Sequence, residues 1–426
     1  MNPTAIEHHL KWVLLQWGVI IVVAWVFGRL GRRVGQPLAV GEILGGIVLG
    51  PSVLGAIWPE GMAWLFPLET KDSLQMLAKI GLIFLLFQVG MEFDFGHLRT
   101  RSSTVVAVSA FGIAAPFACG LLAGPWLHRE FAPEVPVLGF QLFVCIALSI
   151  SALPIMGRIL IELGLERTPL GAMAVSSAAI DDVIGWILLA VGTALVQSGF
   201  HASVLLLHVG GILIFFVGLP RVVGPWLIRL WQRQAAGQPT PELSSSFLAL
   251  LLVVLFACCL ITHELGIFTL FGAFLFGVSL HREVTLVRAW RARFSQFVLV
   301  ALVPIFFTNT GLRTEVGSLV TWTAWIGCAV VLFAAVTGKL GGCYLGARLT
   351  GQPHREAISI AALMNTRALM GLVAINISLE LGLLTRELFT MFVIMALLTT
   401  VMTGPMLRAW LPPALRELGK RAAQTD

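Results

Sequence analysis

The sequence predicts an all-α integral membrane protein of about thirteen transmembrane helices, built as two inverted repeats around a linker helix. Three observations carry that reading. The 426 residues are 58% hydrophobic and only 12% charged, whereas water-soluble domains keep roughly a quarter of their residues charged. Apolar stretches recur from residue 12 to residue 411, each near the ~20 residues that cross about 30 Å of hydrocarbon as helix. The loops between them alternate between rich and poor in basic residues, as the positive-inside rule requires.

The first segment, 12–30, follows MNPTAIEHHLK, which lacks the basic n-region and small-residue cleavage site of a signal peptide, so it is expected to stay as a span. Segment two, 38–57, holds GEILGGIVLGPSVLG, whose glycines allow close helix contact. Segments 75–95 and 103–127 are plain apolar runs, and 134–162 is interrupted by ALSISALPIMG, with Ser149, Ser151 and Pro154. Segment six, 168–196, carries Asp181 and Asp182. The linker is 203–230, and the second repeat runs through 245–263, 266–281, 295–313, 319–348, 355–379 and 387–411. Residues 412–426 form a short tail. The first repeat is thus 12–196 and the second 245–411, so segment five pairs with segment twelve, which is interrupted by Asn365, Thr366 and Gly371 in LMNTRALMG. Paired broken helices mark the substrate site in many secondary transporters.

One alternating set of loops holds twenty basic residues, Arg99, Arg101, Arg167, Arg416, Lys420 and Arg421 among them, and the other set five. That asymmetry puts the N-terminus outside and the C-terminus in the cytoplasm. The formal charge of +6 is scattered among these loops, with no basic face or aromatic-interleaved patch for nucleic acid. The six cysteines lie within apolar runs without CxxC spacing, which indicates free thiols and neither a disulfide framework nor a zinc site.

Two adjacent carboxylates inside an apolar span cost at least about 3 kcal/mol each unless compensated. Neighbours on a helix point about 100° apart, so Asp181 and Asp182 suit two roles, one meeting a protein partner and the other a cavity. A carboxylate held in a half-dry cavity keeps a proton until a cation displaces it, and competition for one site is an exchange mechanism. The bland alternative is that both cap broken-helix N–H groups or pair with basic residues. Lys339 lies about nine residues from the inner end of segment eleven, roughly 14 Å at helical rise, and is expected to pair with Asp181, unless it snorkels to the cytoplasmic face. Arg367 reads as a structural counter-charge to unwound backbone and carboxylates. Lys79 and Glu42, each about one turn inside a segment end, read as interfacial.

Taken together, GQPLAVGEILGGIVLGPSVLG (35–55), LIFLLFQVGMEFDF (82–95), SSAAIDDVIGWILLA (176–190), TGKLGGCYLGARLTG (337–351), MNTRAL (364–369) and ALLTTVMTGP (396–405) resemble the second monovalent cation/proton antiporter family, with its bacterial sodium/proton exchangers, Kef-type potassium efflux systems and plant cation/proton exchangers. The resemblance implies a sodium/proton antiporter fold with crossed discontinuous helices beside a dimerising panel, working as a homodimer by an elevator-like movement. It implies Asp182 as the cation and proton carboxylate, Asp181 as its neighbour, and Lys339 as the partner that releases a proton when the cation binds. Electroneutral relatives often carry Asn or Gln where Asp181 stands, so the set implies electrogenic exchange. Two departures are Ala368 and Gly371, which stand in place of the glycine and glutamate that often follow the arginine of segment twelve. Lys79 stands where relatives commonly have an acidic or neutral residue. With a tail of only residues 412–426, no soluble nucleotide-sensing domain of the Kef kind is expected in this chain.

The expected function is therefore secondary antiport of Na⁺ or K⁺ against H⁺ in a bacterial inner membrane, with no enzymatic step and no cofactor. The expected partners are membrane lipid and a second copy of the chain, and nucleic acid is not expected to be one. A passive cation channel would use the aspartates as a selectivity ring, and an organic-anion symporter would need a roomier, less acidic midplane site. An intramembrane aspartic protease needs its two acids on separate, facing helices, whereas these are consecutive on one.

Overall fold

The structure is a computed structural model that describes residues 3–36, 38–92, 102–163, 165, 168–198, 210–211, 214–236, 241–265, 269–413 and 415. The start of the expected linker helix, Arg99, Arg101 and Arg167 of the loops, and Arg416, Lys420 and Arg421 of the tail lie outside the described residues. Among the described residues the secondary structure is entirely helical. Among those described residues nine helices are long and apolar enough to cross a membrane, or ten if the pair Val284–Ser295 and Val298–Ser318, bent by 45°, is one span.

The order is α1 (Pro3–Arg33), α2 (Leu38–Leu49), α3 (Leu54–Ile57), α4 (Pro59–Leu65), α5 (Lys71–Met91), α6 (Ser102–Phe131), α7 (Val137–Ser149), α8 (Leu153–Glu162) and α9 (Pro169–Ser198). It continues with α10 (Gly224–Ala235), α11 (Ser245–Glu264), α12 (Thr269–Leu280), α13 (Val284–Trp290), α14 (Val303–Leu312), α15 (Trp322–Leu349), α16 (His354–Met364), α17 (Ala368–Glu380) and α18 (Arg386–Trp410). Local chemistry sets several of these ends. Ser244, Thr321 and Thr385 each accept a hydrogen bond from the backbone N–H three residues on, capping α11, α15 and α18, and so satisfy donors that a helix start leaves unpaired. Helix α5 starts at Lys71, four residues before the apolar run suggested, because the 3-10 turn Leu68–Thr70 feeds directly into it.

The chain forms two compact units. One comprises Met1–Val22, Leu65–Asp94 and Ala190–Asn309. Its core is aromatic: Phe87 stacks on Phe276 at 5.1 Å, Trp290 meets Phe87 edge-on at 4.8 Å, and Phe294 stacks on Trp290 at 4.8 Å. The Gln88 side-chain amide nitrogen donates to Ser295 Oγ at 2.8 Å, which gives the buried donor of α5 a partner.

The other unit comprises Val23–Trp64, Phe95–Leu189 and Thr310–Asp426. Gly338, Gly342 and Gly346 form one stripe of α15, and a Cβ on any of them would collide with the backbone of α6 at Pro116, Phe111 and Ala107 respectively. Small residues at four-residue spacing let two helix backbones touch, and here they bring the Lys339 turn of α15 against α6.

Candidate functional site

The site forms where two helical tracts of the second unit are interrupted. Residues 150–152 separate α7 from α8, and 365–367 separate α16 from α17. The interruptions bond to one another: Ala152 N–H donates to the Thr366 carbonyl at 2.8 Å, and Ser151 Oγ donates to the Met364 carbonyl at 3.0 Å. Unwinding leaves carbonyls without helical partners, and at membrane depth each needs one from the protein. At the end of α7 they come from cations. Lys339 Nζ donates to the Ser149 carbonyl at 2.7 Å, while Arg367 donates to Leu148, to Ala147 at 3.5 Å and, from its other terminal nitrogen, to Ala335 of α15 at 2.8 Å. Positive charge is favourable at this negative end of a helix dipole.

Helix α9 carries Asp181 and Asp182, both fully buried. Both oxygens of Asp181 are partnered. Its Oδ2 accepts from Lys339 Nζ at 2.5 Å and lies 3.1 Å from Ser151 Oγ, whose one proton it shares with the Met364 carbonyl, and its Oδ1 accepts from Ser109 Oγ at 2.6 Å. Lys339 completes its own three donors with the Gly112 carbonyl at 2.9 Å. Asp182 is the opposite case, since among the described residues neither of its carboxylate oxygens has a hydrogen-bond partner. A buried carboxylate with nothing to accept from is a costly state that a proton or a desolvated cation would relieve.

The remaining residues singled out in the sequence fall around this centre. Ser149 Oγ donates to the Cys145 carbonyl at 2.7 Å, one turn back in α7. Asn365 donates to the Thr399 carbonyl of α18 at 3.3 Å, and Thr366 Oγ1 to the Leu363 carbonyl at 2.9 Å. Pro154 is the second residue of α8, in the first turn, where a missing N–H leaves no intrahelical bond unmade. Lys79 is exposed on α5 and Glu42 half-buried on α2. All six cysteines are free thiols. Two contributors escaped the sequence reading, Ser109 and the Gly112 carbonyl, because a lone serine and a glycine in the small-residue run of α6 carry no distinguishing signal.

The chain as a whole has relatives among known proteins. The family described as the transmembrane part of sodium/hydrogen exchangers matches residues 18–412. The chain belongs to that family. Among other exchangers, the Na⁺/H⁺ antiporter NhaS4 of Synechocystis is 36% identical over 91% of this chain and 94% of its own length. Cation/H⁺ antiporter 19 of Arabidopsis thaliana is 34% identical over 97% of this chain but 51% of its own length, so the chain spans about half of that plant relative. The Na⁺/H⁺-K⁺ antiporter GerN of Bacillus cereus is 28% identical over 92% of this chain. The solved structure of the sodium proton antiporter MjNhaP1 from Methanocaldococcus jannaschii matches with a TM-score of 0.62 over 97% of this chain and 99% of that one, at 15% identity. The exchanger described here shares that fold.

Proposed function

We propose that this exchanger moves a monovalent cation, Na⁺ or K⁺, against H⁺ by alternating access, with Asp182 as the carboxylate that cation and proton occupy in turn. The observation that carries the reading is the contrast at neighbouring positions: Asp181 accepts hydrogen bonds on both oxygens, whereas Asp182 is equally buried and among the described residues neither of its oxygens has a hydrogen-bond partner. Cation binding at Asp182 draws on the charge balance of the cluster, and the Lys339 ammonium, held against Asp181 at 2.5 Å, is the group that gives up a second proton as positive charge arrives. Exchange is then electrogenic. Arg367 serves as a fixed counter-charge, since its contacts are backbone carbonyls of α7 and α15. Ser149, Ser151, Pro154, Asn365 and Thr366 support the crossed interruptions. The names of the relatives, antiporters of Na⁺, K⁺ or both, support the cation class.

In this reading each interrupted tract crosses the bilayer once, which gives thirteen spans in two inverted repeats, the N-terminus outside and the C-terminus in the cytoplasm of a bacterial inner membrane. The exchanger works as a homodimer. The test is purified protein in liposomes carrying a pH gradient, challenged with Na⁺, K⁺ and Li⁺ at several pH values. Cation-dependent collapse of the gradient is expected, and cation flux without proton counter-movement would instead identify a passive channel.

A further inference from the structure

The cytoplasmic-type end of α1 is built unlike the rest of that helix. Trp25, Arg29 and Arg32 fall at i, i+4 and i+7, one face of the helix, with Arg33 beside them. All four are exposed, Trp25 to 54%. The face behind them is the packed one. Ala24 and Gly28 are buried, and a Cβ on Gly41 of α2 would strike the Phe27 carbonyl. The Arg29 guanidinium lies over the Trp25 ring, 4.0 Å from its centroid, a cation–π contact that holds the side chain without using its N–H groups. None of Arg29, Arg32 and Arg33 forms an ion pair with a described residue. Between Glu7 and Glu42 the sequence contains no acid at all.

A fourth arginine comes from far along the chain. Gly35 sits at φ +72° in the turn after α1, and the guanidinium of Arg408, near the end of α18, occupies the space where a Cβ on Gly35 would stand. Any other residue there would meet both a strained backbone and that side chain. The turn therefore gathers the ends of α1 and α18 into one basic corner. Around it Val26, Leu30 and Val34 are exposed to 38%, 48% and 69%.

We propose that this corner, Trp25, Arg29, Arg32, Arg33 and Arg408, binds the phosphate headgroup of an anionic phospholipid. Charge complementarity and layering both select that occupant. Exposed aliphatic side chains suit acyl chains, tryptophan suits the interface between hydrocarbon and headgroups, and guanidinium forks beyond it suit phosphate oxygens. A soluble phosphate would use the arginines but gain nothing from the exposed Trp25 and Leu30.

The test is native mass spectrometry of the full chain in mild detergent, titrated with phosphatidylglycerol or phosphatidylcholine. Wild type is expected to retain phosphatidylglycerol selectively. Each juxtamembrane arginine contributes roughly fivefold to such binding, so Arg29→Gln, Arg32→Gln and Arg33→Gln together should weaken it about a hundredfold. Trp25→Leu should weaken it by a smaller factor, and Arg282→Gln with Arg288→Gln should leave it unchanged. Equal retention by the triple variant, equal retention of phosphatidylcholine, or displacement by inorganic phosphate at matched concentration overturns the proposal. Should the triple variant fail to fold, salt decides the matter on wild type: phosphatidylglycerol retention falls as ionic strength rises, and retention indifferent to salt overturns the proposal.

Discussion

Removing the ammonium of Lys339 isolates the electrostatic core of the site. In Lys339→Met the Asp181 carboxylate keeps Ser109 and Ser151 as donors but loses its counter-charge at 2.5 Å, and the Gly112 and Ser149 carbonyls lose a donor at 2.9 and 2.7 Å. Breaking a buried pair from one side costs about 3–5 kcal/mol, because the other charge stays buried. Asp181→Asn with Lys339→Met leaves the same two carbonyls short as the single variant, at about 1–3 kcal/mol each, but no longer buries an uncompensated charge. The double variant should therefore regain much of that buried-charge cost of about 3–5 kcal/mol over the single one. Thermal unfolding of the detergent-solubilised protein, followed by the fluorescence of its 13 tryptophans, reads the order directly: wild type highest, the double variant next, Lys339→Met lowest. A double variant no more stable than Lys339→Met would refute the coupling between these side chains.

Arg367→Ala should lower the unfolding midpoint by a margin similar to Lys339→Met, since three carbonyls lose a fully buried donor; Arg367→Lys, which cannot serve α7 and α15 together, should restore only part, and full restoration would argue against the bridging role. Gly342→Leu forces a side chain into the Phe111 carbonyl and should cost about 1–3 kcal/mol or more, visible as lost expression and a lower midpoint, while the same change at Gly341, with nothing within 4 Å of its Cβ position, should be tolerated. Ser151→Ala removes one bond to Asp181 and one to the Met364 carbonyl, and should shift the pH profile of exchange while Asp182-dependent transport persists; an unchanged profile would remove Ser151 from the site.

Much of this architecture was legible in the sequence because lipid permits so few solutions. Long apolar runs announce helices, and the depth of Asp181, Asp182, Lys339 and Arg367 within them marks polar chemistry that hydrocarbon would otherwise reject. The interruptions were legible from Ser149, Ser151 and Pro154 and from Asn365 and Thr366, which are poor residues for an unbroken apolar span. What bonds to what across them was not, because the Ala152 to Thr366 contact joins residues far apart in sequence. Ser109, a short bond from Asp181, looks like any small residue of α6. The two compact units were equally hidden. Three of their five boundaries, at 22/23, 189/190 and 309/310, fall inside α1, α9 and α14, where no loop composition marks them, whereas the repeats expected from the sequence follow chain order.

The role assigned to Asp182 admits a direct test. Purified exchanger in weakly buffered detergent solution, given a pulse of Na⁺ or K⁺, should release protons as the cation takes the carboxylate, and Asp182→Asn should release none. Proton release of wild-type size from Asp182→Asn would contradict the assignment and move the exchange chemistry to another group.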